Sequence, residues 1–402
     1  MTNGFLIDDA QDQRGYRLTS IDMLRGLVLL IMALDHVRDF VMMNHQDPML
    51  DPHATPLLFF TRWITHFCAP VFVFLAGTSA GLMTSRKNPN SLGIFLLKRG
   101  LWLIFVEVFI ISTAFTFSPF GLEQMGGRTF VAMQVIWAIG ASMVILAGVQ
   151  FLGARWCLYI GAIIVLSHNF LDGIWPKNSD GISLPLWAAL HTQMGVTAGQ
   201  FQFFFLYPLL PWVGVMLLGF GTAVLFKQAP EKRNPQLLKI GIGLTLGFVL
   251  IRAINLFGDA HGWHYQPENL TATIESFFNT TKYPPSLHYL LMTLGPAAII
   301  CAYADQIKGW FKDTLVMFGR VPFTFYVAHF YLAHSIAVII GMVQGFTFIQ
   351  MKTFFPFNPK QFGLGLSGVY VVWLLVIVCL YPLCRWVAAV KARRNDWWLS
   401  YL

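Results

Sequence analysis

Along most of the chain, apolar residues run in windows of roughly 20 broken by short polar stretches, the length an α-helix needs to cross ~30 Å of hydrocarbon. Strands of a transmembrane barrel would be about half as long and would alternate polar with apolar positions, and these windows do not. The pattern predicts helices over 21–41, 58–84, 93–117, 129–150, 155–171, 201–226, 236–258, 285–305, 314–344 and 363–388. The fold class is therefore all-α, a polytopic transmembrane helix bundle of about ten spans. ISLPLWAALH (182–191) reads as a re-entrant or surface helix inside a longer loop.

Composition sharpens this picture. Hydrophobic residues make up 56% of the 402 and charged residues only 11%, with a mean hydropathy of +0.60, which excludes an ordinary soluble enzyme. Lys and Arg concentrate on the N-terminus, every second loop and the C-terminus. The alternate loops hold only Arg38, Arg62, Arg128, Lys177, Lys282, Lys352 and Lys360, so both termini are expected on the cytoplasmic side. The net charge of +8 then reads as anchoring to anionic lipid, not as nucleic-acid binding. No linker or repeat divides the chain. We expect a cytoplasmic segment over 1–20, one transmembrane domain over 21–390 and an interfacial tail over 391–402. Residues 1–20 lack the basic start and cleavage site of a secretory signal, so the first helix is expected to stay attached. Cys68, Cys157, Cys301, Cys379 and Cys384 fall in spans without a pairing or metal-ligand spacing.

The first window departs from the rule that spans are apolar. Its end, MALDHVRDF (Met32–Phe40), carries Asp35, His36, Arg38 and Asp39. At 100° per residue, His36 returns to within ~20° of Arg25 and lies about 16 Å further along the axis. Asp22, Met32 and Asp39 share that face, Asp35 lies at its margin, and Arg38 is expected to point away. Each charge at mid-membrane costs ~2.5–3.5 kcal/mol even on lenient scales, so this seam must face the bundle interior. Asp39, one turn on from His36, is the expected carboxylate partner of its imidazole.

Other windows add polar groups at a similar depth: Arg62 and His66 on the second, then Gln134, His168, Asn169, Asp172, Arg252, Asn255, His288 and His334, with His329 nearer the middle. A single His or Asn in such a helix is often an interhelical hydrogen bond of under ~1 kcal/mol, so the convergence carries more weight than any one residue. HGWH (His261–His264) has no third ligand in view and no metal site is expected. GTSAG (Gly77–Gly81) is a small-xxx-small pattern that predicts a close helix crossing.

RLTSIDMLRGLVLLIMALDHV (Arg17–Val37) resembles the opening signature of the transmembrane acyltransferases, S-x-D-x-x-R-G followed by an apolar run and a polar residue. The likeness is greatest to bacterial relatives of the heparan-alpha-glucosaminide N-acetyltransferase catalytic domain. FTRWITHFCAPVFVFLAGTSA (Phe60–Ala80), KYPPSLHYLLMTLGP (Lys282–Pro296) and GRVPFTFYVAHFYLAH (Gly319–His334) resemble segments of the same group. Where the lysosomal enzyme has Asn on the first helix this chain has His36, as do the polysaccharide O-acyltransferases. His45 is an approximate counterpart of that enzyme's second functional residue.

The resemblance implies transfer of an acyl group, acetyl in the expected case, from acyl-CoA to a glycan or a small amine or hydroxyl acceptor across a bacterial inner membrane, with a homodimer left open. Such chemistry needs a base and a donor for the developing oxyanion. His36 is the candidate base, with Asp39 and Asp35 as catalytic neighbours. Arg62, His66, His288 and His329 are candidates for substrate binding, and Arg25, Lys98, Arg99 and Arg320 for the phosphates of CoA. The rival reading is a proton-coupled transporter or flippase using the same His, Asp and Arg residues, which proline-broken helices at Pro208, Pro211 or Pro296 would favour.

Overall fold

The computed structural model describes residues 18–43, 46–51, 53–174, 183–353, 357–394 and 396–400. The proposed N-terminal segment before Leu18, His45 and residues 401–402 of the tail lie outside them. Helix α1 (Thr19–Val41) is followed by α2 (Pro56–Ile64), which passes through a tight turn at Thr65–Phe67 into α3 (Cys68–Met83). Next come α4 (Pro89–Phe105), a π-helical stretch over Val106–Ile111, and α5 (Ser112–Thr116). Strand β1 (Thr129–Met133) leads into α6 (Val135–Val149), α7 (Ala154–Ser167) and α8 (Ser183–Leu190). Strands β2 (Met194–Ala198) and β3 (Phe201–Phe205) precede α9 (Leu209–Phe226) and α10 (Pro230–Ile254). The remainder is α11 (Leu270–Phe278), α12 (Leu287–Tyr303), α13 (Trp310–Arg320), α14 (Pro322–Val343), α15 (Phe348–Met351) and α16 (Leu366–Arg393).

The fold is mostly helical, and seven helical stretches among the described residues are long and apolar enough to cross a membrane. Helix α1 falls short of that criterion because of its charges, α4 to α5 because the run is broken, and α12 because it is shorter. Large apolar side chains such as Leu246, Leu250, Val371 and Val378 stay exposed on α10 and α16, as a lipid-facing surface requires.

Three predicted windows need correction. The windows at 129–150 and 201–226 each open as a strand, and β1, β3 and β2 form a small sheet in which β3 runs parallel to β1 and antiparallel to β2. The class is therefore helical with a minor sheet. Short apolar runs rich in Phe, Val and Thr do not reveal by hydropathy whether they are strand or helix. The window at 314–344 is split between α13 and α14, because Val321 precedes Pro322 and leaves helical geometry (φ −130°, ψ 44°). The prolines invoked for a transporter break little: Pro208 caps α9, Pro211 sits in its first turn, and Pro296 lies within an unbroken α12.

Helix α1 runs through the centre, against α3, α12, α13, α14 and α16. Its closest crossing is with α13, where a Cβ on Gly26 would fall 1.9 Å from the Leu315 carbonyl oxygen and one on Gly319 would fall 1.9 Å from that of Asp22. The Gly of the S-x-D-x-x-R-G motif is thus required by backbone contact. The crossing predicted at GTSAG is present: a Cβ on Gly77 would lie 2.1 Å from the Met216 carbonyl of α9. Similar glycine crossings join α4 to α6 at Gly100 and Gly140, and α10 to α12 at Gly241 and Gly295. Small residues let helix backbones approach where lipid offers no hydrophobic drive.

Gly26→Ala should therefore force α1 and α13 apart and destabilise the protein by about 1–3 kcal/mol or more, read as a lower melting temperature in detergent. Gly243→Ala, on α10 with open space around it, should leave the melting temperature unchanged or slightly higher.

Candidate active site

The seam predicted on α1 faces the interior, and cavities open along it at both ends. Near the start of α1, a cavity of about 260 Å³ is lined by Asp22, Arg25, Arg99, Arg320 and Lys391. It adjoins a narrower, mainly apolar space of about 150 Å³ that shares Arg25 and Arg99 and reaches Met32 and Tyr326. Beyond the other end of the seam lies a cavity of about 920 Å³, lined by His36, Arg38, Asp39, Asp47 and Arg62 together with the small sheet. Between the two spaces stands a layer made by His36 with Tyr326, His329 and Phe330 of α14.

In that layer, His36 Nδ1 lies 2.7 Å from His329 Nε2. The rings stack with centroids 5.0 Å apart, and Phe330 packs against both, 4.3 Å from His36 and 4.7 Å from His329. The hydrogen-bond chain fixes the tautomers of the neutral rings. His329 Nδ1 lies 3.0 Å from the Phe325 carbonyl, which can only accept, so that nitrogen carries the proton. His329 Nε2 must then accept from His36 Nδ1–H. The lone pair of His36 is left on Nε2, on a ring that lines the large cavity.

The expected His36–Asp39 pair does not form. Asp39 accepts from Arg38 Nη2 at 2.6 Å, and Arg38 is turned inward with only 5% of its surface exposed, contrary to the expectation that it points away. Its Nη2 also lies 3.0 Å from Asp35, because two carboxylates one turn apart draw the guanidinium back to the helix. Asp35 is the hub: Arg62 Nη1 donates to its two oxygens at 3.1 and 2.9 Å, and Lys282 approaches to 3.7 Å. Arg62 also reaches Asp47 at 3.4 Å. Burial would raise the Asp47 carboxyl, but Arg62, Arg38 and the Met49 amide hold it at about 2. Three carboxylates thus neutralise three cations beside the large cavity, and Arg38, Asp39, Asp47 and Arg62 of this cluster line it.

The other predicted residues separate. Arg25 donates to Asp22 at 2.7 Å and to Ser79 at 3.1 Å, Arg320 stands 4.0 Å from Asp22, and Arg99 lies over the Phe323 ring at 5.5 Å. These three gather at the 260 Å³ cavity with Lys391, which sequence reasoning missed, while Lys98 is exposed on α4 and away from it. His66 and His288 line none of the three cavities. The His66 ring packs against Tyr289, whose hydroxyl donates to the His66 carbonyl at 2.8 Å. His288 lies beside Arg252, which donates to the carbonyls of His261, Ser276, Phe277 and Asn279 and so clamps a loop. Similar depth therefore did not mean one site. Among the described residues no cluster fit to hold a metal ion is present.

The sheet builds the far wall of the large cavity. Period-two alternation puts Gln202 and Phe204 of β3 on one face, and their cross-strand partners Phe130 and Gly195 join them there. The opposite face packs Val131, Met133 and Phe205 against Ala188 of α8. Gln124, Gln134 and Gln193 add three more amides, and Arg128 adds a cation. Of the glutamines only Gln134 stood out in the sequence, since a glutamine in a short loop carries no local signal.

Comparison with known families matches residues 17–251, more than half of the chain, to the family described as heparan-alpha-glucosaminide N-acetyltransferase, catalytic. No curated protein matches the chain. The matched stretch holds α1, the sheet and most of α10, whereas α14 lies beyond it.

Asp35→Asn should leave three buried cations short of a counter-charge and cost on the order of 3–5 kcal/mol, seen as a lower melting temperature. Asp47→Asn should cost much less, since the Asp47 side chain is 31% exposed.

Proposed function

Because the chain belongs to the heparan-alpha-glucosaminide N-acetyltransferase catalytic family, an integral membrane acetyltransferase family, we propose that it moves an acetyl group from acetyl-CoA to a sugar or cell-envelope glycan. The observation that carries this reading is the pair of spaces that approach His36 from opposite ends of α1. In this reading α1, the α4–α5 run and α12 also span the bilayer, giving about ten spans in one domain over 21–390, with both termini cytoplasmic. The membrane is a bacterial inner membrane.

CoA then enters from the cytoplasmic side. Arg25, Arg99 and Arg320 would meet its phosphates, with Lys391 beside them, since bidentate guanidiniums suit phosphate oxygens. The apolar space past Met32 takes the pantetheine arm, along the ~16 Å of axis between Arg25 and His36. The acceptor occupies the large cavity, whose size is typical of small-ligand sites. Amides and aromatic faces along the sheet suit a hydroxyl-rich ring, and the balanced charges beside it avoid selecting strongly against either ion sign.

In the transfer, His36 Nε2 takes the proton from the acceptor amine or hydroxyl as its nitrogen or oxygen bonds to the thioester carbon. The tetrahedral oxyanion collapses, the C–S bond breaks, and the thiolate leaves with the proton that His36 returns. His329 holds Nδ1–H of His36 and so orients the ring and stabilises the imidazolium, a part that sequence reasoning gave to Asp39.

The test is thiol release from acetyl-CoA by purified protein with a panel of amino sugars and glycans. His36→Ala should lower turnover about 10²–10⁴-fold with acetyl-CoA affinity retained, and His329→Leu should lower it less. Arg25→Ala should weaken acetyl-CoA binding. Full turnover by His36→Ala would rule out the imidazole as base.

A further inference from the structure

The layer between the two spaces offers few polar side chains. His36 holds the lone pair, and both nitrogens of His329 are committed, one to His36 and one to the Phe325 carbonyl. The third polar group is the hydroxyl of Tyr326. It lies one turn before His329 on α14, and its ring meets those of His36 and His329 edge to face, with centroids at 6.3 and 5.6 Å. Tyr326 is 3% exposed and lines the narrow apolar space on the Arg25 side. Its hydroxyl oxygen is buried without a hydrogen-bond partner among the described residues.

A buried hydroxyl with no partner is unfavourable in the resting protein, because it gives up water and gains nothing. Such a group is open to a partner that arrives with the substrate. A thioester presented to His36 through the narrow space would bring its carbonyl to the same layer. The other strong donors are placed elsewhere: Arg25 and Arg99 line the far end of that space, while Arg38 and Arg62 are bound to Asp35 and its neighbours.

We propose that the Tyr326 hydroxyl is a catalytic hydrogen-bond donor to the thioester carbonyl oxygen as it becomes an oxyanion. The inference rests on the acyl-transfer reading above. As the acceptor bonds to the carbonyl carbon, the C=O π electrons move to oxygen, and Tyr326 donates its O–H to that oxygen without giving up the proton. When the carbonyl re-forms and the C–S bond breaks, the hydrogen bond weakens and the thiolate takes its proton from His36. A donor that gains strength with the developing charge lowers the barrier more than it tightens substrate binding.

Tyr326→Phe keeps the ring and removes the donor. In purified full-length protein it should lower kcat by about 10²–10³-fold, with KM and direct binding of acetyl-CoA unchanged and the melting temperature near that of the parent. Wild-type kcat in Tyr326→Phe overturns the proposal, as does a change confined to KM, which would mark ground-state binding. Should Tyr326→Phe fail to fold, 3,5-difluorotyrosine at position 326 decides. Its more acidic phenol should change kcat and remove activity at the pH where it ionises, and an unchanged pH profile overturns the proposal. Thiol release that is absent from wild-type protein with every acceptor would instead refute the acyl-transfer reading itself.

Discussion

Asp35 can sit within the bundle only because two guanidiniums and an ammonium converge on it. An isolated carboxylate there would cost several kcal/mol, so Arg62 from α2 and Lys282 from the segment before α12 are tied to α1 as firmly as any packing contact. That constraint does more than neutralise charge. It holds α2 and the loop bearing Asp47 around one side of the helix, and the large cavity forms beside them.

With the charges settled against one another, the imidazole one position later makes its hydrogen bond to another helix. His36 turns to α14, where its partner is a neutral ring that can accept a hydrogen bond and later share a proton. A carboxylate in that place would bind the imidazolium more tightly and hold its proton longer. In the proposed transfer, the His36–His329 pair instead suits a base that takes a proton from an acceptor on one side of the layer and returns it to a leaving thiolate on the other.

The glycines explain how so polar a helix is accommodated. The contact of Gly26 with Leu315 and of Gly319 with Asp22 brings α1 and α13 to backbone distance, and this delivers Arg320 beside Asp22 and the Gly319 carbonyl to Arg25. The motif S-x-D-x-x-R-G is therefore a packing device as much as a chemical one: its Gly sets the crossing, and its Asp and Arg fill the cationic cavity that the crossing leaves.

The sequence by itself determined the helical membrane architecture, the burial of the seam on α1, the shared face of Arg25 and His36, and the close crossing at Gly77. Each follows from local physics, the 3.6-residue period and the cost of charge in an apolar window. Only the tertiary structure decided which groups meet. His36 and His329 are 293 residues apart, and Arg62 reaches Asp35 across 27. No periodicity within one helix shows whether a neighbouring carboxylate will be taken by an arginine first, as Asp39 is. Nor does hydropathy separate Thr129–Met133 and Phe201–Phe205 from the helices that follow, since a short apolar run becomes a strand only when another strand is there to satisfy its backbone hydrogen bonds.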